Sequence, residues 1–151
     1  MLEIYVDADG CPVKDEVYRV AGRYGLTVWV VANAWLRVPD DASVHRVTVG
    51  EGLDRTDDWI AGRIGPGDIA ITADVPLAAR CVQRGARAIA PDGRSFDDAS
   101  IGAALADRNL MTALREAGEI RGGGRPFTRQ DRARFLNALD AAIQAIRRAG
   151  S

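Results

Sequence analysis

At 151 residues, with 47% apolar side chains, the chain is long enough to bury a real core and short enough for one domain. No apolar run approaches a membrane span, no basic leader precedes the first strand, and Cys11 and Cys81 suggest no disulfide framework; the expectation is a cytoplasmic protein with reduced thiols. The net charge of −1 hides an asymmetry: from Arg121 onward seven arginines face Asp131 and Asp140, a balance of +5, against −6 over the preceding 120 residues. Lys14 is the only lysine, and the chain is rich in Ala, Arg and Gly, so only the clustering of arginines is informative.

Residues 2–6 read as a buried strand that stops abruptly at Asp7 and Asp9. Pro12 suits the first turn of a helix whose apolar positions Val13, Val17, Val20, Ala21 and Tyr24 recur at helical spacing, with Gly25 as its C-terminal cap. Residues 27–32 form a second strand, and Asn33 sits just past its end. Its apolar run is continuous rather than alternating, which implies burial on both faces and parallel pairing. A loop over 34–42 holds Trp35, Leu36 and Pro39 as anchors, and 44–49 is a third strand whose partial alternation places it nearer an edge.

Residues 53–64 read as a helix with Asp54, Asp57 and Asp58 in its first turns. The helix dipole favours acids there. Asp54 nevertheless shares a face with both of the others, an arrangement that destabilises unless something cationic sits beside it. Gly65-Pro66-Gly67 breaks the chain before a strand over 68–72, which ends in Thr72-Ala73-Asp74 and repeats the opening arrangement of apolar strand and terminal acid. A helix over 76–84 closed by Gly85, a short fifth strand over 86–90 and a polar loop over 91–99 follow. Ser100 reads as the N-cap of a helix through Ala117, with Ile101, Leu105, Leu110, Met111 and Leu114 as its buried positions. After a Gly- and Arg-rich loop, Thr128-Arg129-Gln130-Asp131 has the form of a capping box opening a final helix, whose core face is Phe135, Leu136, Leu139, Ile143 and Ile146. Strands alternating with helices predict an α/β fold around a mostly parallel sheet of about five strands, with a helical C-terminal extension from about residue 100.

His45, the only histidine, lies inside a predicted strand, so a Ser-His or Cys-His mechanism has no well-placed base, and no Cys/His cluster has zinc spacing. Cys11, near a helix start, reads as a small packed side chain. What recurs is aspartate at strand ends and helix starts: Asp7, Asp9, Asp54, Asp57 and Asp74. In an open α/β sheet ligands gather outside the carboxyl ends of the strands. Oxygen-only ligands there suit Mg²⁺ or Mn²⁺, and the natural chemistry is phosphodiester hydrolysis by a metal-activated water. Lys14, Asn33 and Thr72 are placed to bind phosphate or metal-bound water, with a salt bridge to Glu16 or the aspartates as the ordinary role for Lys14 and strand-end hydrogen bonding for the other two.

The blocks Tyr5-Val-Asp-Ala-Asp-Gly-Cys-Pro-Val-Lys14, Val30-Val-Ala-Asn33, Asp54-Arg-Thr-Asp-Asp-Trp-Ile60, Gly67-Asp-Ile-Ala-Ile-Thr-Ala-Asp-Val-Pro-Leu-Ala78 and Gly122-Gly-Gly-Arg-Pro-Phe127 resemble, in order and over nearly the whole chain, the YaiI/YqxD family of small bacterial proteins of uncharacterised function. Gly10 stands where that family commonly has Ala. The family is in turn similar to PIN-domain-like nucleases, which implies a single PIN-like domain over 1–151, a three-layer fold gathering acids for a divalent metal, and RNA as substrate. In that resemblance Asp7 corresponds to the acid after the first strand, Asp57 to the acid opening the helix before the fourth strand, and Asp74 to the acid closing that strand. Asp9 and Asp54 have no firm counterpart and take supporting roles.

Two rivals stand beside the nuclease. Asp7-Ala8-Asp9-Gly10 also resembles the opening motif of haloacid-dehalogenase-type phosphatases, with Asp7 as nucleophile, but no lysine follows Lys14 and Asp97-Asp98 follows a polar loop rather than a strand. A non-catalytic RNA- or protein-binding module would instead use the basic tail, Arg121, Arg125, Arg129, Arg132 and Arg134, whose ordinary role is a solvated helix face.

Overall fold

Burial on both faces governs the strands of the computed structural model, which describes residues 1–118 and 126–150. The elements run β1 (Glu3–Asp7), α1 (Lys14–Tyr24), β2 (Thr27–Ala32), β3 (Val44–Thr48), α2 (Arg55–Arg63), β4 (Ile69–Ile71), α3 (Val75–Gln83), β5 (Arg87–Ile89), β6 (Ser95–Phe96), α4 (Ile101–Glu116) and α5 (Arg129–Ala149). They build one six-stranded sheet in the order β3-β2-β1-β4-β5-β6. All neighbours pair in parallel except β5 and β6, which are antiparallel. The chain first moves outward from β1 through β2 to β3; α2 then carries it back across to β4, on the other side of β1. The carboxyl ends of β1 and β4 therefore flank a topological switch point, the crevice where open α/β sheets bind ligands.

Side chains alternate between two cores. Ile4 and Val6 of β1 join Val28 and Val30 of β2, Val17 and Val20 of α1, and Phe135, Leu139 and Ile143 of α5 in one cluster. Tyr5, Val31 and Ala70 face the other way, onto Ile60 of α2 and Leu77, Ala78 and Cys81 of α3. The result is three layers: α1 and α5, the sheet, then α2 and α3 with α4 beyond. Cys11 and Cys81 are both free, buried in different clusters on opposite faces of the sheet. Edge strand β3 is only half covered, in keeping with its alternation.

Local signals shape the ends. Gly25 caps α1 in the left-handed region, φ 67°. Thr128 and Asp131 form a reciprocal capping box at the start of α5. Among the described residues, no helix is long and apolar enough to cross a membrane.

The expected sheet of about five strands gains a short sixth: Ser95 and Phe96, inside the stretch read as polar loop, pair back on β5, a strand of two residues being too short for a hydrophobic period. Two expectations need correction. Ser100 makes no side-chain cap to α4; its hydroxyl accepts from the Asp97 amide, while the Asp97 carboxylate accepts from the amides of Ala99 and Ser100. Those bonds, the Ser100 amide first, hold the Asp97 carboxyl below its usual range. Finally, α4 buries none of its residues. Ile101, Ala104 and Leu105 rest against the second cluster, whereas Leu110 is 58% and Met111 37% exposed, because α4 lies outside the α2–α3 layer and touches it along one side only.

Candidate active site

Strand β1 ends in Asp7 because the apolar run that buries it ends there, and β4, its neighbour, gives way to Thr72 at the same level. The buried Thr72 hydroxyl donates to Asp7 Oδ2 at 2.7 Å and accepts from the Asp74 amide at 3.0 Å. Asp74 is the N-cap of α3, its Oδ1 accepting from the Leu77 amide at 3.2 Å. One hydroxyl thus ties the acid closing β1 to the acid opening α3. The third acid, Asp57, comes from the first turn of α2.

These carboxylates feel one another. Burial, then the charges of Asp74, Asp7 and Asp54, with a hydrogen bond to Asp74, push the Asp57 carboxyl up to about 6. The Asp7 carboxyl is also raised, by burial first, against the Thr72 hydrogen bond that lowers it, with Asp74 and Asp9 adding repulsion. None of Asp7, Asp57 and Asp74 has an ion-pair partner among the described residues. Like charges gathered with no ion pair to offset them repel one another unless a cation joins them. The described residues nevertheless hold no group of three or more Asp, Glu, His or Cys set to cage a metal. An ion here would have only one or two carboxylates and its own waters as ligands, the mode open to Mg²⁺, and not a closed protein site.

The remaining expected residues sit at the rim. Asp9 is exposed and accepts from the Asn33 amide at 2.9 Å, while Asn33 Oδ1 accepts from the Thr56 hydroxyl at 3.0 Å, so both fasten strand-end loops. Asp54, exposed, holds the left-handed conformation at φ 61° and makes no side-chain cap. Asp58 turns outward to Arg80, 2.9 Å away. Lys14 forms no salt bridge among the described residues; its ammonium donates to the carbonyls of Cys11 at 2.9 Å and Ala8 at 3.5 Å and clips the β1–α1 loop. Glu16 pairs instead with Arg132 at 3.1 Å, and Arg134 with Asp131 at 3.4 Å, so two arginines of the basic tail are engaged within the fold. Arg121 and Arg125 lie outside the described residues. Burial pushes the Cys11 thiol up, the opposite of an activated nucleophile. His45 is far from the acids in the fold, on β3, stacked on Trp29 with ring centres 4.4 Å apart.

Two openings reach the acids. A cavity of about 260 Å³ lies between the β1–α1 loop and the β5–β6 turn, with Asp7, Asp9, Pro91 and Phe127 in its wall. A second, of about 380 Å³, is bounded by Asp7, Ala73, Asp74, Val75 and Arg108. Arg108 was not foreseeable from spacing, because its place opposite the acids depends on how α4 packs.

Residues 5–145 match the family described as "Uncharacterized BCR, YaiI/YqxD family". The chain belongs to the YaiI/YqxD family. Among relatives, a UPF0178 protein of Rhodopseudomonas palustris strain BisB18 is 61% identical over 145 residues, covering 96% of this chain and 94% of the relative. A UPF0178 protein of Nitrobacter winogradskyi is 58% identical over 148 residues, with 98% and 94% covered. One from Azorhizobium caulinodans is 55% identical over 149 residues, with 99% and 94% covered. No solved structure matches.

For this YaiI/YqxD member the acidic centre carries a pH signature. Asp57 lies above its ordinary 3.8, so the stability it contributes is full below about 3.8 and is lost as pH rises through about 6. With solvent screening allowed for at this partly exposed site, the loss is on the order of 1 kcal/mol. Thermal melts in chelator should show wild type losing stability relative to Asp57→Asn between pH about 4.5 and pH about 7.5. A constant difference across that range would show that neither burial nor its neighbours raise the Asp57 carboxyl.

Proposed function

We propose that the acidic centre is a divalent-metal-dependent phosphodiesterase site acting on RNA. The observation that carries this reading is the convergence of Asp7, Asp57 and Asp74 from β1, α2 and the start of α3 at the sheet's switch point, with Asp57 pushed up to about 6. The resemblance to PIN-domain-like nucleases, whose acids occupy the corresponding strand ends, supports the same chemistry by analogy of fold.

Asp7 and Asp57 are the ligands in this reading. Asp74, with one oxygen committed to the Leu77 amide, aligns them and lends its second oxygen. When bound, Mg²⁺ or Mn²⁺ neutralises charge on a phosphoryl oxygen and lowers the pKa of a coordinated water. Thr72 fixes the carboxylate plane of Asp7 through its 2.7 Å hydrogen bond. Burial and the neighbouring carboxylates push Asp57 up to about 6 in the metal-free protein, so an ion held there would displace a proton from it.

A manganese soak of crystals with anomalous scattering tests the site without assuming a substrate. A peak against Asp7 and Asp57 is expected; no peak, or one elsewhere, removes the metal. Trapping a fluoroberyllate-modified Asp7 would instead turn the site into that of a phosphatase.

A further inference from the structure

We propose that the groove between α4 and the β6 edge is the path by which a single-stranded nucleic acid reaches the acidic centre, with Arg108 and Arg115 holding its phosphates. The inference rests on the hydrolytic reading of that centre and extends it to the substrate. A cleft of about 580 Å³ runs along α4 and shares Ala73, Val75 and Arg108 with the opening that contains Asp7 and Asp74, so the two are continuous. Ala104, Arg108, Met111 and Arg115 line it at helical spacing, one stripe of α4 in which cationic and apolar side chains alternate. Arg108 and Arg115 are two turns apart, about 10 Å of rise, and neither has an ion-pair partner among the described residues.

Arg94 lines the same cleft, but its charge is taken up by Asp92 at 3.1 Å; Asp107 is the acid on the rim. Unpaired cations leading to a cluster of unpaired carboxylates suit a polyanion whose reacting phosphate must be brought, against repulsion, to the acids. The exposed Met111 between the arginines offers an apolar contact to unstacked bases, whose faces a duplex does not present. This also accounts for Met111, the apolar residue that α4 leaves uncovered on that stripe.

The test is anisotropy of a fluorescein-labelled oligouridylate, in chelator, over a series of salt concentrations. Arg108→Ala/Arg115→Ala should weaken binding by about 10-fold or more at low salt and flatten the slope of log affinity against log salt by roughly 1.4, two phosphate contacts at about 0.7 each. Arg108→Lys/Arg115→Lys should keep most of the slope, and Arg19→Ala, on exposed α1 surface, should leave it unchanged. Helicity by circular dichroism checks the fold of each variant. No measurable binding, an unchanged slope in the alanine pair, or an equal loss in Arg19→Ala overturns the proposal. The two readings fail separately: a flattened slope in a protein whose cleavage ignores Asp7 leaves the groove and removes the nuclease, whereas Asp7-dependent cleavage with an unmoved slope does the reverse.

Discussion

Asp7→Asn should abolish manganese-dependent RNA cleavage, by about 100-fold or more, while making the metal-free protein no less stable. The substitution keeps the shape of the side chain, and Asn Oδ1 still accepts the Thr72 hydroxyl that now reaches Asp7 at 2.7 Å. What disappears is one carboxylate whose charged form is disfavoured by its own burial and by the charges of Asp74 and Asp9. Because Asp7 is one of the charges pushing up Asp57, the variant should also bring Asp57 back toward the ordinary carboxylate range. Loss of activity with unchanged or improved stability marks a group placed for chemistry rather than for the fold. The measurements are gel-resolved cleavage of RNA under Mn²⁺ and melting midpoints in chelator. Cleavage at the wild-type rate would end the assignment, and so would a variant melting well below wild type.

Phe135→Ala should destabilise the fold by about 3–5 kcal/mol, read as a drop in the urea midpoint at unchanged slope. Phe135 is fully buried and stands first in the Phe135–Leu139–Ile143 row by which α5 seals one face of the sheet. Against a typical total of about 5–15 kcal/mol, such a loss threatens folding itself. The site would feel it as well. Arg132, one turn earlier, donates to the Pro12 carbonyl at 2.6 Å and to Glu16, so α5 props the loop that follows Asp7 and carries Asp9. A cost below about 1 kcal/mol would mean that the helix is not seated where it is described.

Much of this was open to reading from residues. Asp7 and Asp74 were visible because a buried parallel strand cannot carry a charge, so the first acid after the apolar run marks its carboxyl end. Asp57 was visible as one of several like charges crowded into one helical turn, although the pattern could not tell it from Asp58, which faces outward to Arg80. The capping box at Thr128 was equally plain, since every group in it lies within four residues. Long-range placement was not. Nothing local distinguishes a stripe of α4 that packs on α3 from one that faces solvent, so Leu110 and Met111 read as core and no spacing singled out Arg108. The engagement of Arg132 was hidden for the same reason: its partner, Glu16, is 116 residues away.

The clip at Lys14 has a practical corollary. Its ammonium, held by the carbonyls of Ala8 and Cys11, is the only side-chain amine in the sequence. Reagents directed at primary amines, such as those for reductive methylation before crystallisation or for surface immobilisation, will find no lysine on the outer helices to absorb them. Lysine modification falls instead on the first residue of α1, so labelling of that side chain is also a perturbation of the loop it clips.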